Sequence, residues 1–151
     1  MIRQMAKKDL PKVSTIYKDA NKFTSRNEIL KWTTEDLKRF PRYHLVFESK
    51  GEVLGAISAT LHRKDLAVIE DIAVKRMNRS HTIGSRLIEK ILAILKEDKI
   101  PTVRLWVHWT DAAAIPFYYL HGFKLKMFRH THGMAGVPDN EDIVFLERKL
   151  K

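Results

Sequence analysis

The segment Val68-Ile69-Glu70-Asp71-Ile72-Ala73-Val74 is rich in branched apolar residues and leads through a short cationic stretch holding Lys75, Arg76 and Arg79. Beyond it Ile83, Leu87, Ile88, Ile91, Leu92 and Leu95 recur at three- and four-residue spacing. The first part reads as a strand and the last as a helix over about 80–98 with one buried face. A strand that passes through a basic loop into a helix start presents unpaired backbone N–H groups, the positive end of the helix dipole and cationic side chains to a phosphate. The plainer alternative is a helix that begins on a basic surface.

The rest of the chain is organised around this unit. Residues 2–5 form a short first strand, and Asp9 is placed as the N-cap of a helix that opens with Leu10 and Pro11 and runs to about residue 21. A second helix restarts over 34–40 and ends before Pro41. Residues 44–49 and 52–62, separated by Lys50-Gly51, read as a hairpin, with 66–74 as a third strand beside them. After the long helix, Val103, Leu105 and Val107 alternate with Arg104, Trp106 and His108 in a strand beginning at Pro101. A helix over 111–120 follows, capped by Asp111 and stopped at Gly122. Strands over 124–130 and 143–149 close the chain. The order β-α-α-β-β-β-α-β-α-β-β implies an α/β fold, a mixed central sheet flanked by helices, with parallel pairing between the strands on either side of the long helix.

Bulk properties narrow the function. With 151 residues, 44% of them hydrophobic, one domain with a real core is expected. The 28 Lys and Arg residues against 18 Asp and Glu leave a net charge of +10, which suits an anionic partner or simply a solvated basic surface. Cysteine is absent, so no thiolate metal site, disulfide or cysteine nucleophile can form, and a cytoplasmic protein is expected. No stretch approaches the roughly 18 apolar residues of a membrane span, so no membrane partner is expected. His130 and His132 share a face of an extended segment but have no evident third ligand, and no metal is expected. The cationic residues are dispersed and no nucleic-acid recognition motif accompanies them, so nucleic acid is not an expected partner. A homodimer remains open.

Two motifs give the chain a family likeness. Ile72-Ala73-Val74 followed by Arg79-Ser80-His81-Thr82-Ile83-Gly84 resembles the strand end and pyrophosphate loop, Gln/Arg-x-x-Gly-x-Gly/Ala, of the GNAT superfamily of acyl-CoA-dependent N-acetyltransferases, with Thr82 where the family usually has glycine. Downstream, Asp111, Ala114, Phe117, Tyr118, Gly122 and Phe123 are similar in identity and spacing to the family pattern Asn-x-x-Ala-x-x-Phe-Tyr with Gly-Phe after it. The resemblance covers essentially the whole chain and is strongest over about 53–123.

This resemblance implies an acetyltransferase in which acetyl-CoA is the co-substrate and a primary amine of unassigned identity, on a protein, a peptide or a small molecule, is the acceptor. It places the diphosphate over Arg79 to Ser85, the pantetheine arm along the backbone of Ile72, Ala73 and Val74, and a further cofactor contact at Asp111. The Cβ atoms of Ser80 and Thr82 stand where glycine permits close approach, and their hydroxyls are available to donate instead. Tyr118 matches the acid that protonates the departing thiolate, being protonated at neutral pH with an ordinary pKa of about 10. Glu70 is the first candidate for the base, read as sharing a strand face with Ile72 and Val74, with Asp71 on the opposite face in reserve. His108 is an alternative base or an acceptor-binding group. The runner-up reading is a catalytically silent domain of the same fold that binds CoA or a partner through its basic face.

Overall fold

A computed structural model describes residues 1–79 and 81–150, with only the backbone of His81. Among these residues seven strands form one sheet: β1 Ile2–Gln4, β2 His44–Ser49, β3 Glu52–Arg63, β4 Leu66–Val74, β5 Thr102–His108, β6 Lys124–His130 and β7 Asp142–Lys149, in the spatial order β1-β2-β3-β4-β5-β7-β6. Every neighbouring pair is antiparallel except β4 and β5. Those two flank the long helix, so the expected crossover is present. Lys50 and Gly51 both have positive φ, the geometry of a two-residue hairpin turn matched to the strand twist.

Among the described residues four α-helices cover the sheet: α1 Leu10–Ala20, α2 Arg26–Arg39, α3 His81–Glu97 and α4 Ala114–Leu120. One core gathers Ile83, Leu87, Ile88, Ile91 and Leu95 of α3 and Tyr118 of α4 against Ile57, Ala59, Ala67 and Ile69. A smaller core on the other face joins Val13, Ile16 and Tyr17 of α1 and Ile29 of α2 to Val46, Ala56 and Ala73. α3 lies so close to β3 that a Cβ at Gly55 would stand 3.1 Å from Ile83 Cγ2 and 3.2 Å from the Ala73 carbonyl oxygen, so this strand position accepts only glycine without movement.

Three boundaries differ from expectation. The second helix begins at Arg26, because Ser25 in extended geometry accepts the Glu28 N–H at 3.2 Å. That Ser-x-x-Glu signal was legible but went unread. Asp9 does not cap α1; its carboxylate accepts the Ala6 N–H at 2.7 Å and pairs with Arg3 at 2.8 Å, tying β1 to the turn that follows it. α4 begins three residues after Asp111, whose Oδ1 accepts the Ala114 N–H at 3.2 Å. Its end is as expected: Phe123 N–H to Tyr118 O and Gly122 N–H to Tyr119 O, both 3.1 Å, form a Schellman stop around Gly122 at φ +83.

One buried group sets a pH limit on this fold. His44 is fully buried, donates Nδ1–H to the Phe40 carbonyl at 2.8 Å and has no partner for Nε2 among the described residues. Burial holds its pKa below the ordinary 6.5. The unfolded chain therefore binds the proton more readily, so the stability is present above pH 6.5 and is lost as pH falls through the lower folded value. Urea unfolding should show a loss of stability between about pH 7.5 and about pH 5, flattened in His44→Phe. An equal loss in the variant would assign the effect to other groups.

Candidate active site

β4 and β5 pair over only three positions, Leu66 with Thr102, Ala67 with Val103 and Val68 with Arg104. Beyond them the strands part, and a cleft of about 890 Å³ opens between β4 residues 69–73, β5 residues 105–108, the end of α1 and Tyr118. The cause lies in β4. Ser58 of β3 faces Asp71 and Ala59 faces Ile69, so Glu70 is an extra residue without a partner, a β-bulge.

The bulge corrects the expected facing of the carboxylates. Before it Ala67 and Ile69 point to the α3 core; after it Ile72 and Val74 point there and Ala73 points to the α1–α2 core. The alternation thus changes phase at Glu70. Glu70 and Asp71 both face the α1–α2 side, and neither shares a face with Ile72 and Val74. Glu70 is exposed and accepts the Thr60 hydroxyl at 2.8 Å, with His62 Nε2 3.9 Å away. Asp71 is half-buried on the cleft wall. Burial pushes its pKa up to about 8, helped by the charges of Glu70 and Asp36. Asp36, on α2, is itself pushed up to about 6 by burial and then by Glu70.

Tyr118 is 7% exposed, its ring edge-on to Phe117 and Phe123, and it lines the cleft. Burial raises its pKa, with Asp111 and Asp71 adding to the shift, so the phenol keeps its proton throughout the neutral range. Tyr17, at the floor of the same cleft, shares a hydrogen bond with Ser58 at 2.7 Å and is likewise raised by burial and by Asp71. Tyr119 is exposed, as its position around the helix implied.

Of the phosphate-loop candidates, Arg79 is tied to one end of the cleft through Asp19, which lines it. Arg79 Nε donates to the Val74 carbonyl at 2.9 Å, and Asp19 of α1 pairs with Arg79 at 3.2 Å and with Arg76 at 3.0 Å. The end of α1 therefore braces the loop. Gly84 faces Phe117 of α4, where a Cβ would stand 3.5 Å from Cζ, an ordinary contact, so its place in the helix does not demand glycine. Ser85 shares a hydrogen bond with His121 Nε2 at 3.1 Å, which joins α3 to α4. Thr82 is exposed and Ile83 is in the core, whereas Ser80 and the side chain of His81 lie outside the described residues. Ile72, Ala73 and Val74 pair with β3 on one edge; past the end of the β5 ladder, Ile72 and Ala73 line the cleft, while the Val74 carbonyl accepts from Arg79.

His108 also lines the cleft, but both ring nitrogens are engaged, Nδ1 with Thr110 and Nε2 with Glu141. His130 has Asp142 on Nδ1 at 2.8 Å and Asn140 on Nε2 at 3.2 Å. Among the described residues no cluster of His, Asp and Glu has metal-binding geometry, and no helix is long and apolar enough to cross a membrane. Asp36 and the His108–Glu141 pair went unread in the sequence.

Comparison with known proteins agrees with this architecture. The sequence profile of the acetyltransferase (GNAT) family matches residues 5–123. No curated protein sequence matches the chain. Among solved structures, Ard1 from Thermoplasma volcanium superposes with a TM-score of 0.87 at 22% identity over 100% of this chain and 97% of its own. The ribosomal-protein-alanine N-acetyltransferase from Brucella melitensis gives 0.81 at 24% identity over 99% of each chain. yncA from Salmonella typhimurium, whose structure holds its cofactor acetyl-CoA, gives 0.80 at 18% identity over 100% of this chain and 94% of its own.

Asp71 offers a direct check on the cleft's electrostatics. Its folded pKa, about 8, lies above the ordinary 3.8, so the folded state holds the proton more tightly and stability declines as pH rises through that window. Asp71→Asn cannot ionise and should raise the melting temperature by a few degrees at pH 9 while gaining little at pH 4. An equal gain at both pH values would mean that burial of the charge is not the cause.

Proposed function

The chain belongs to the acetyltransferase (GNAT) family, and on that premise we propose that it carries the acetyl group of acetyl-CoA directly to a primary amine. The observation that carries this reading is the splayed β4–β5 pair, which brings Ile72 and Ala73 of the unpaired β4 edge, Tyr118 and Asp71 to one cleft. Acetyl-CoA fits the residues present. Its pantetheine arm is assigned to the free edge of β4 and its diphosphate to the start of α3, where Thr82, Ile83 and Gly84 begin a helix beside Arg76 and Arg79. Asp111 and Ser85 are assigned to its margins, Asp111 through its second carboxylate oxygen and Ser85 through a hydroxyl already shared with His121.

The co-substrate supplies an activated thioester; the chain supplies proton transfer and orientation. A backbone N–H on the cleft edge of β4 polarises the thioester carbonyl. Asp71 receives the amine's proton. Its pKa of about 8 makes it a stronger base than an ordinary carboxylate once ionised, and its cleft-facing position is better than that of Glu70, which is bound to Thr60. Tyr118 returns a proton to the departing sulfur. Glu70 then acts on Asp71 through its charge. A catalytically silent domain acting through its basic surface is not favoured, because the cleft retains these proton-carrying groups. A cytoplasmic site of action belongs to the same reading.

Calorimetry with acetyl-CoA, followed by thiol release against a panel of amines, tests the proposal. The ribosomal-protein-alanine N-acetyltransferase among the structural neighbours puts a peptide with N-terminal alanine first in that panel, ahead of lysine and a polyamine. Absence of binding at millimolar acetyl-CoA would overturn it. Tyr118→Phe should lower kcat on the order of 10²-fold with the acetyl-CoA Kd unchanged. Asp71→Asn should remove the limb of kcat/KM that rises toward pH 8, and Glu70→Gln should shift that limb to lower pH. Loss of the limb in Glu70→Gln alone would make Glu70 the base.

A further inference from the structure

We propose that His108 is a positioning residue that fastens two loops across the acceptor side of the cleft, with Nδ1 accepting and the ring proton on Nε2. The tautomer follows from its partners. The Thr110 backbone N–H, which can only donate, lies 3.2 Å from Nδ1, so Nδ1 is the accepting nitrogen. The Thr110 hydroxyl, 2.6 Å away, is a second donor to the same nitrogen. The ring proton is therefore on Nε2, and it is donated to Glu141 at 2.7 Å. A ring held this way has no free lone pair for an amine's proton, which removes His108 from the candidates for the base.

What it holds is the segment between β6 and β7. That segment is internally braced around buried Thr131: its N–H donates to the Glu141 carbonyl at 2.7 Å, its hydroxyl to the Pro138 carbonyl at 2.7 Å, and it accepts the Glu141 N–H at 2.9 Å. The His108–Glu141 bond ties this preformed loop to the end of β5. The loop between α1 and α2 joins at the same ring, where Phe23 lies against His108 with centroids 5.4 Å apart. The two loops also touch each other. Thr24 Oγ1 donates to the Gly136 carbonyl at 3.2 Å, and the Trp32 indole of α2 packs against the same glycine, where a Cβ would stand 3.2 Å from it. One imidazole thus links β5, the α1–α2 loop and the β6–β7 loop, and fixes the width of the entrance through which an amine must pass.

The kinetic arm of the test rests on the acetyltransferase reading, and the hydrogen-exchange arm does not. His108→Phe keeps a ring for Phe23 and deletes both hydrogen bonds. In the protein alone, amide exchange over residues 131–141 should quicken about tenfold or more, with the α3 core unchanged. Glu141→Ala severs the same link from its other, half-buried end and should reproduce the effect if His108→Phe fails to fold. Glu141→Gln still accepts from Nε2 and should keep near-wild-type exchange. In turnover, the KM of the panel amine with the highest kcat/KM should rise about tenfold in His108→Phe, with kcat within about threefold and acetyl-CoA affinity unchanged. Unchanged exchange in both severing variants would overturn the proposal. So would a collapse of kcat with loss of a pH limb at constant KM, which would make His108 the base. A wild-type protein that acetylates no amine would defeat the acetyltransferase reading and leave the exchange result to decide on His108.

Discussion

A single residue without a partner, Glu70, separates the lower half of β4, which is a full member of the sheet, from the upper half, which is the wall of a cleft. The bulge adds local twist and bends the strand, and the parallel ladder to β5 ends two residues before it. Two things follow. Backbone groups that would otherwise be used by the sheet become available along 69–73, and the side-chain alternation changes phase so that two consecutive acids face the same way. Tyr118 can enter from α4 because the gap between the strands is open at that level.

The charges around the gap are sorted. Arg76 and Arg79 cluster at the start of α3, drawn together by Asp19, where an anionic diphosphate would meet the positive end of a helix. Asp36, Glu70 and Asp71 gather on the α1–α2 side, and their mutual repulsion together with burial drives Asp71 toward the neutral form. The overall excess of cations therefore does not describe the cleft. It describes the surface around it.

Most of the architecture was legible because it is written in periodicity. The three- and four-residue recurrence of Ile83 to Leu95 and the alternation of Val103, Leu105 and Val107 are properties of single segments, and both elements lie where they were expected. The Gly122 stop was legible for the same reason. The orientation of Glu70 was not, because a bulge is a relation between two strands: nothing in Val68 to Val74 alone says that one residue has no counterpart in β3. The His108–Glu141 bond joins residues 33 positions apart and leaves no mark on local pattern. The early start of α2 belongs to a different class, since Ser25 and Glu28 carried the signal in plain view.

The stop at the end of α4 has a mechanical consequence. The carbonyl of Tyr118 receives both the His121 and the Phe123 N–H, at 3.0 and 3.1 Å, so the residue that carries the phenol is also the one on which the helix terminates. From there Arg148 of β7 grips the His121 carbonyl at 2.6 Å, and its guanidinium fills the space beside Gly122. The hydroxyl is thus indexed to the far half of the sheet and not to a loose surface helix. A change at Arg148 therefore reaches the phenol from the opposite half of the sheet, through the His121 carbonyl that follows its helix.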